Sequence, residues 1–198
     1  MNKSPPSGVI VALSFIIANL GFSYALNKSE AFQTLELGLT VDKNVNRSTF
    51  HDFWKPDLGI ETFVKTPFYQ GDVEIGFQFI SYMAKANRIP DYKSVYIYLG
   101  YGKEWRLPSR VYWFNGFKIG NYLMIFEGGK LGDPSKTESE FSADLVSRMS
   151  YPIHKTLRIS VSTSYMIIYT HKRIEFAFIS VGTSYSIKTP KWIRDFLN

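Results

Sequence analysis

The stretch Thr156–Tyr169 reads TLRISVSTSYMIIY, and its alternation decides the fold. Leu157, Ile159, Val161, Thr163, Tyr165, Ile167 and Tyr169 form one set, and Arg158, Ser160, Ser162 and Ser164 lead the other. Successive side chains of a strand point to opposite faces, so this is a strand with one apolar face and one small or charged face. On that reading an arginine at Val161 or Ile159 is costly, and one at Ser162 is tolerated better. Seven more segments carry the same pattern, and almost nothing between them reads as helix.

Outward from this stretch, the preceding strand, Phe141–Tyr151, sets Phe141, Ala143, Leu145 and Met149 against Ser142, Asp144, Arg148 and Ser150. The following one, Arg173–Ile187, sets Ala177, Ile179, Val181, Tyr185 and Ile187 against Ser180, Gly182, Ser184 and Ser186. Phe176 and Phe178 interrupt its polar face. Further strands are predicted at Phe32–Asp42, Asp57–Thr66, Val73–Met83, Ser94–Trp105 and Val111–Phe126. Connections are long after the first, third and fifth strands and short after the second, fourth, sixth and seventh. Glu127–Glu140 is the most loop-like stretch of the chain.

The 198 residues suit one domain, and aromatic residues at 17% suit a sheet. Cysteine is absent, which excludes disulfides, a thiol nucleophile and thiolate metal ligands. The net charge is +6, but the cations are scattered among loops and strand ends with no basic helix or stripe. Nucleic acid is therefore not an expected partner, and the charge suits a surface facing water or lipid headgroups. At the N-terminus Lys3 precedes the apolar run Val9–Leu20, and Ser23-Tyr24-Ala25 places small residues where signal peptidase reads them. Residues 1–25 are read as a secretory signal cleaved after Ala25. The run is short against the roughly 20 residues of a membrane span.

A transmembrane strand needs about 9 to 11 residues, and outer-membrane barrels alternate apolar-out and polar-in with short turns on one side. Ionisable residues recur at mid-strand on the polar face: Glu36, Glu61, Glu74, Lys118, Asp144, Arg148 and Arg158. Such charges suit neither a sandwich core nor an apolar ligand cavity. Inside a narrow membrane barrel opposite charges can pair and fill the lumen. The fold class expected is all-β: an eight-stranded antiparallel up-and-down transmembrane β-barrel over residues 26–189, with a short tail at 190–198.

On strand count, alternation and the signal segment, Phe32–Ile187 resembles the small outer-membrane β-barrels of the OmpA/OmpX type, uncharacterised barrels of Gram-negative bacteria included. The resemblance implies location in the cell outer membrane, contact with its lipid and lipopolysaccharide, and handling by the barrel-assembly machinery. The extracellular partner is unknown. Such barrels usually end on an aromatic residue. Here the last strand ends near Tyr185-Ser186-Ile187 and the chain runs on to Asn198, with Tyr185 as the internal equivalent.

Candidate chemistry is thin. Two kinds of small outer-membrane barrel modify lipid A with Ser and His. This chain offers His51 beside Asp52 and near Ser48, which reads as a solvated loop. His154 and His171 lie in turns at opposite ends of one strand. No catalytic residue, metal site or cofactor is expected. Tyr101, Trp105, Tyr112, Trp113 and Tyr151 fall near the short-turn ends of their strands, as in the aromatic girdle of a membrane interface. Thr189-Pro190 starts a helical tail whose Trp192, Ile193, Phe196 and Leu197 share one face. It reads as an amphipathic foot with Trp192 at headgroup depth. The function expected is a structural or surface-binding outer-membrane barrel with a filled, polar, non-conducting lumen. The alternatives are a lipid A deacylase or acyltransferase and a soluble periplasmic ligand-binding barrel.

Overall fold

A computed structural model of the chain describes residues 31–86, 89–127 and 136–193. The expected signal segment and the tail beyond Ile193 lie outside the described residues. The strands are β1 (Thr34–Asn44), β2 (Trp54–Pro56), β3 (Gly59–Phe68), β4 (Gly71–Ala84), β5 (Tyr92–Arg106), β6 (Tyr112–Phe126), β7 (Lys136–Pro152), β8 (Leu157–Ile168) and β9 (Ile174–Lys188). Short 3-10 turns occupy Thr49–Asp52 and Pro108–Arg110. Sheet order is β2-β4-β3-β1-β9-β8-β7-β6-β5, and a further pairing of β4 with β5 closes the ring. All pairings are antiparallel. Eight long strands thus form a closed barrel, and β2 is a short flap on β4 where β3 has already ended.

Closure gives each of the eight long strands a paired neighbour on both sides, as the inside of a bilayer requires. The barrel has two unlike ends. One holds the start of β1, the end of β9 and the tight turns at Tyr69-Gln70, Leu107–Val111 and Ile153–Thr156; this is the terminal end. The other holds the connections after β1, β4, β6 and β8; this is the loop end.

The apolar set faces out. Leu39 is 51% exposed, Ile97 51%, Val161 54% and Val181 59%. The polar set faces in, so neighbouring Ser162 is only 7% exposed. A soluble ligand-binding barrel needs the opposite arrangement, and an outer wall this apolar suits lipid rather than water. The inner wall is crowded. A Cβ at Gly38 would meet the Phe63 ring, and one at Gly76 would meet Tyr98, so glycine lets these rings lie flat across the adjacent strand.

Three sequence expectations change. Lys136–Glu140 is strand rather than loop, paired from Phe126↔Lys136 to Tyr122↔Glu140. Both of its faces are polar, so hydropathy gave no alternation to read. Ser162 is not a roomy site, because its register partner on β7 is Arg148. An arginine there would bring like charges together in a packed space. Third, Tyr112 does not belong to an outer girdle. It shares the inward face of β6 with Phe114 and Lys118, and the Arg158 guanidinium lies 4.1 Å from its ring centre.

Candidate functional site

Inward side chains of several strands meet across the lumen in layers. At the terminal end, Lys65 of β3 donates to Glu104 of β5 at 2.6 Å and pairs with Glu36 of β1 at 3.2 Å. Arg158 of β8 reaches the same two acids, at 3.1 Å and 3.5 Å. Ser184 of β9 donates to Glu36 at 2.5 Å. This layer therefore ties five strands together across the tube.

The next layer is more deeply buried. Arg148 of β7 donates through two nitrogens to Glu74 of β4, at 2.7 Å and 3.2 Å, in a forked contact. Its guanidinium lies 3.9 Å from the Phe63 ring centre. Lys118 of β6 donates to Glu61 at 2.5 Å and lies 3.5 Å from Glu74. The Tyr98 hydroxyl bridges these acids, donating to Glu61 with Glu74 at 3.1 Å. Asp42 accepts from Thr40 at 2.9 Å and from Gln78 at 2.7 Å. Asp144 sits opposite Lys118 in the register and is buried.

Toward the loop end the lumen becomes aromatic. Tyr82 and Tyr92 stack at 4.4 Å, and the hydroxyls of Tyr82 and Tyr122 lie 2.9 Å apart. Phe176 and Phe178, which interrupt the polar face in the sequence, belong to this layer and are buried. The 3-10 turn Thr49–Asp52 folds over the mouth and inserts Phe50, edge-on to Phe176 at 5.0 Å and stacked on Trp54 at 5.2 Å. Trp54 Nε1 donates to the Pro90 carbonyl at 3.0 Å, fastening the flap.

His51 holds that turn. The Ser48 backbone N–H donates to its Nδ1 at 3.0 Å, so the ring proton is on Nε2, which donates to Asn44 Oδ1 at 2.7 Å. Burial lowers its pKa, since the charged ring would lose water. Ser48 Oγ also lies 3.2 Å from Nδ1. This is a helix-cap arrangement: the lone pair that would serve as a base already accepts the Ser48 N–H. His154 sits in the terminal-end turn and His171 in the connection after β8 at the loop end. Among the described residues no group of three His, Asp or Glu converges on a metal position.

All seven charged residues singled out in the sequence face the lumen, but they do not form one cluster. Glu36 and Arg158 share the terminal layer; Glu61, Glu74, Lys118 and Arg148 share the middle one. Lys65 and Glu104 complete the network, and their alternation with outward Val64 and Trp105 was the available signal. Of the aromatic set, Trp105 and Trp113 lie side by side on the outer wall, 5.7 Å apart, with Trp113 Nε1 donating to Ser147 at 2.9 Å. Tyr101 is on the same face, 6.5 Å from Phe117. Tyr151 is exposed on β7, and Trp192 is 73% exposed on the first turn of the tail.

No protein-family model matches the chain, and no curated protein matches it either. Solved structures do. Neisserial surface protein A superposes with a TM-score of 0.56 at 9% identity, over 81% of this chain and 99% of that one. Ail, the attachment invasion locus protein of Yersinia pestis, gives 0.52 at 13%, over 78% and 99%. The N-terminal β-barrel domain of Pseudomonas aeruginosa OprF gives 0.52 at 8%, over 80% and 100%. At such identities the likeness speaks for architecture, and it agrees with the ring closure and the reversed faces. The chain has the fold of the small eight-stranded outer-membrane β-barrels.

Proposed function

We propose that this protein resides in the bacterial outer membrane as a structural or surface-binding barrel with a sealed lumen. The observation that carries the reading is the reversal of faces: apolar residues line the outside, and ion pairs with aromatic rings fill the inside. A filled tube offers no path for solute, so activity would lie at the ends, in contacts made by the loops. On this reading the terminal end faces the periplasm and the loop end faces outward. Lipopolysaccharide and phospholipid surround the wall, and the assembly machinery inserts it. Trp105, Trp113, Tyr101 and Tyr151 then mark the inner interface. Trp192 anchors the tail, which the Thr189 N–H ties to Gln33 of the barrel's first residues at 3.0 Å.

Refolding of the chain from residue 26 into phosphatidylcholine vesicles tests the reading. Heat-modifiable migration and protection of the strands from protease are expected. A chain that stays in the aqueous phase contradicts it. Among the described residues His51 does not favour a role in lipid A modification, because it spends its nitrogens on the loop turn.

A further inference from the structure

The two rims of the barrel differ in charge. At the loop end cations and acids are mixed: Lys93 pairs with Glu127 at 3.0 Å and Lys136 with Glu138 at 2.6 Å. At the terminal end Arg110, Lys155 and Lys191 are exposed, and Lys103 lies half-buried just above them on the outer face of β5; Arg106 and Lys188 are exposed on the rim itself at inward-phased positions, Arg106 lying 6.0 Å from the Tyr112 ring centre. None of these six forms an ion pair among the described residues. No described acid points outward on that half of the barrel. Glu36 and Glu104 lie at the same level but face the lumen, where Lys65 and Arg158 hold them; Asp72 shares the inward face of β4 with Glu74. The inside of this end consumes its acids, and the outer face and rim are left with cations alone.

The collar lies where the apolar wall stops. Lys103 stands between outward Tyr101 and Trp105, with its ammonium 5.9 Å from the Trp105 ring centre, and Trp105 rests beside Trp113. A lysine stem can run along apolar surface and hold its charge at headgroup level, and paired tryptophans favour that depth. What meets an ammonium there is the phosphate of a lipid. Cell-wall polymer would be met further out.

We propose that this collar binds anionic phospholipid headgroups, of the phosphatidylglycerol or cardiolipin class, in the leaflet at the terminal end. The inference rests on the membrane reading above. Several cations at one anionic surface act together, each favouring binding by roughly fivefold. The collar would therefore gather a shell enriched in anionic lipid and fix how deep the barrel sits.

The test uses the chain from residue 26, refolded into mixed phosphatidylcholine–phosphatidylglycerol vesicles. Lipid retained after gentle solubilisation is read by native mass spectrometry. Phosphatidylglycerol should be enriched over its bulk share by at least roughly fivefold, with the enrichment shrinking as salt rises. The combined variant Lys103→Gln, Arg110→Gln and Lys155→Gln should lose it. The loop-end control Lys43→Gln, Lys55→Gln and Lys172→Gln should keep it. An inserted wild-type protein with no enrichment, or with enrichment indifferent to salt, overturns the inference and leaves the membrane reading standing. Salt-sensitive sedimentation with isolated peptidoglycan in place of lipid enrichment overturns it in favour of the cell wall. If the combined variant fails to fold, the salt titration of the wild type decides alone. A chain that inserts into neither vesicle overturns both readings together.

Discussion

The lumen has an ionic half and an aromatic half, and they are held by different physics. Near the terminal end the basic residues each depend on a named partner across the tube: Arg148 on Glu74, Lys118 on Glu61, Lys65 on Glu104. Near the loop end Tyr82, Tyr92, Phe176 and Phe50 share contacts among several rings. Losing one member of a buried ion pair strands a charge, whereas losing one ring leaves a cavity that neighbours partly relax into. The ionic half should therefore fail by pairs and the aromatic half by degrees.

The largest effect is expected at Arg148. Arg148→Ala should destabilise the folded barrel by about 3 to 5 kcal/mol in urea titrations, since buried Glu74 loses its forked partner and keeps only Lys118 at 3.5 Å and the Tyr98 hydroxyl at 3.1 Å. Removing both partners, Arg148→Met with Glu74→Met, should recover most of that loss. Failure to recover would mean that Lys118 and Tyr98 also rely on Glu74. Phe176→Ala should cost about 3 kcal/mol through lost burial, and adding Phe50→Ala should deepen the loss instead of relieving it. Rescue in the aromatic half would erase the contrast drawn here.

A smaller effect marks the wall between lumen and lipid. Val161→Arg should cost about 2 to 4 kcal/mol in a bilayer, as expected for a charge near mid-depth on the lipid face. Ser162→Arg should be at least as damaging, because it meets Arg148 in a packed space. Free tolerance at Ser162 would show that the lumen is looser than its contacts imply.

The smallest effect concerns the lid over the aromatic half. His51 is held neutral, with its folded-state pKa lowered by burial. Its contribution is complete above the ordinary histidine value of about 6.5 and is lost as pH falls from there through the folded-state pKa. Asp52 favours the charged ring, and Lys85 and Arg47 oppose it. Hydrogen exchange of the Ser48 and His51 amides should quicken in that window after correction for intrinsic rates, and His51→Ala should abolish the pH dependence. Lipid A acyl patterns should be unchanged in the same variant; an altered pattern would revive the enzymatic alternative.

The strands and their faces were legible because period-two alternation survives in a single sequence. It assigned Glu36, Glu61, Glu74, Lys118, Asp144, Arg148 and Arg158 to one face without knowledge of register. It could not say which charges meet, because Arg148 and Glu74 come together only when the ring closes and tilts. Lys65 and Glu104 were legible as polar-face residues but not as the centre of a layer. Tyr112 was placed by its nearness to a turn, although simple alternation sets it opposite Trp113. The aromatic half was hidden for a chemical reason. Phe176, Phe178, Tyr96 and Tyr122 occupy inward positions, where the pattern leads one to expect polar residues, and their partner Phe50 arrives from a loop.

Both halves together make one claim, that the tube is filled from end to end, and ion flow tests it most directly. Wild-type protein refolded into a planar bilayer should give no stepwise current, while a variant emptied in both halves, Arg148→Ala with Glu74→Ala and Phe176→Ala, should give measurable steps if it remains folded. Steady single-channel conductance from the wild-type barrel, at a size that passes hydrated ions, would contradict the account.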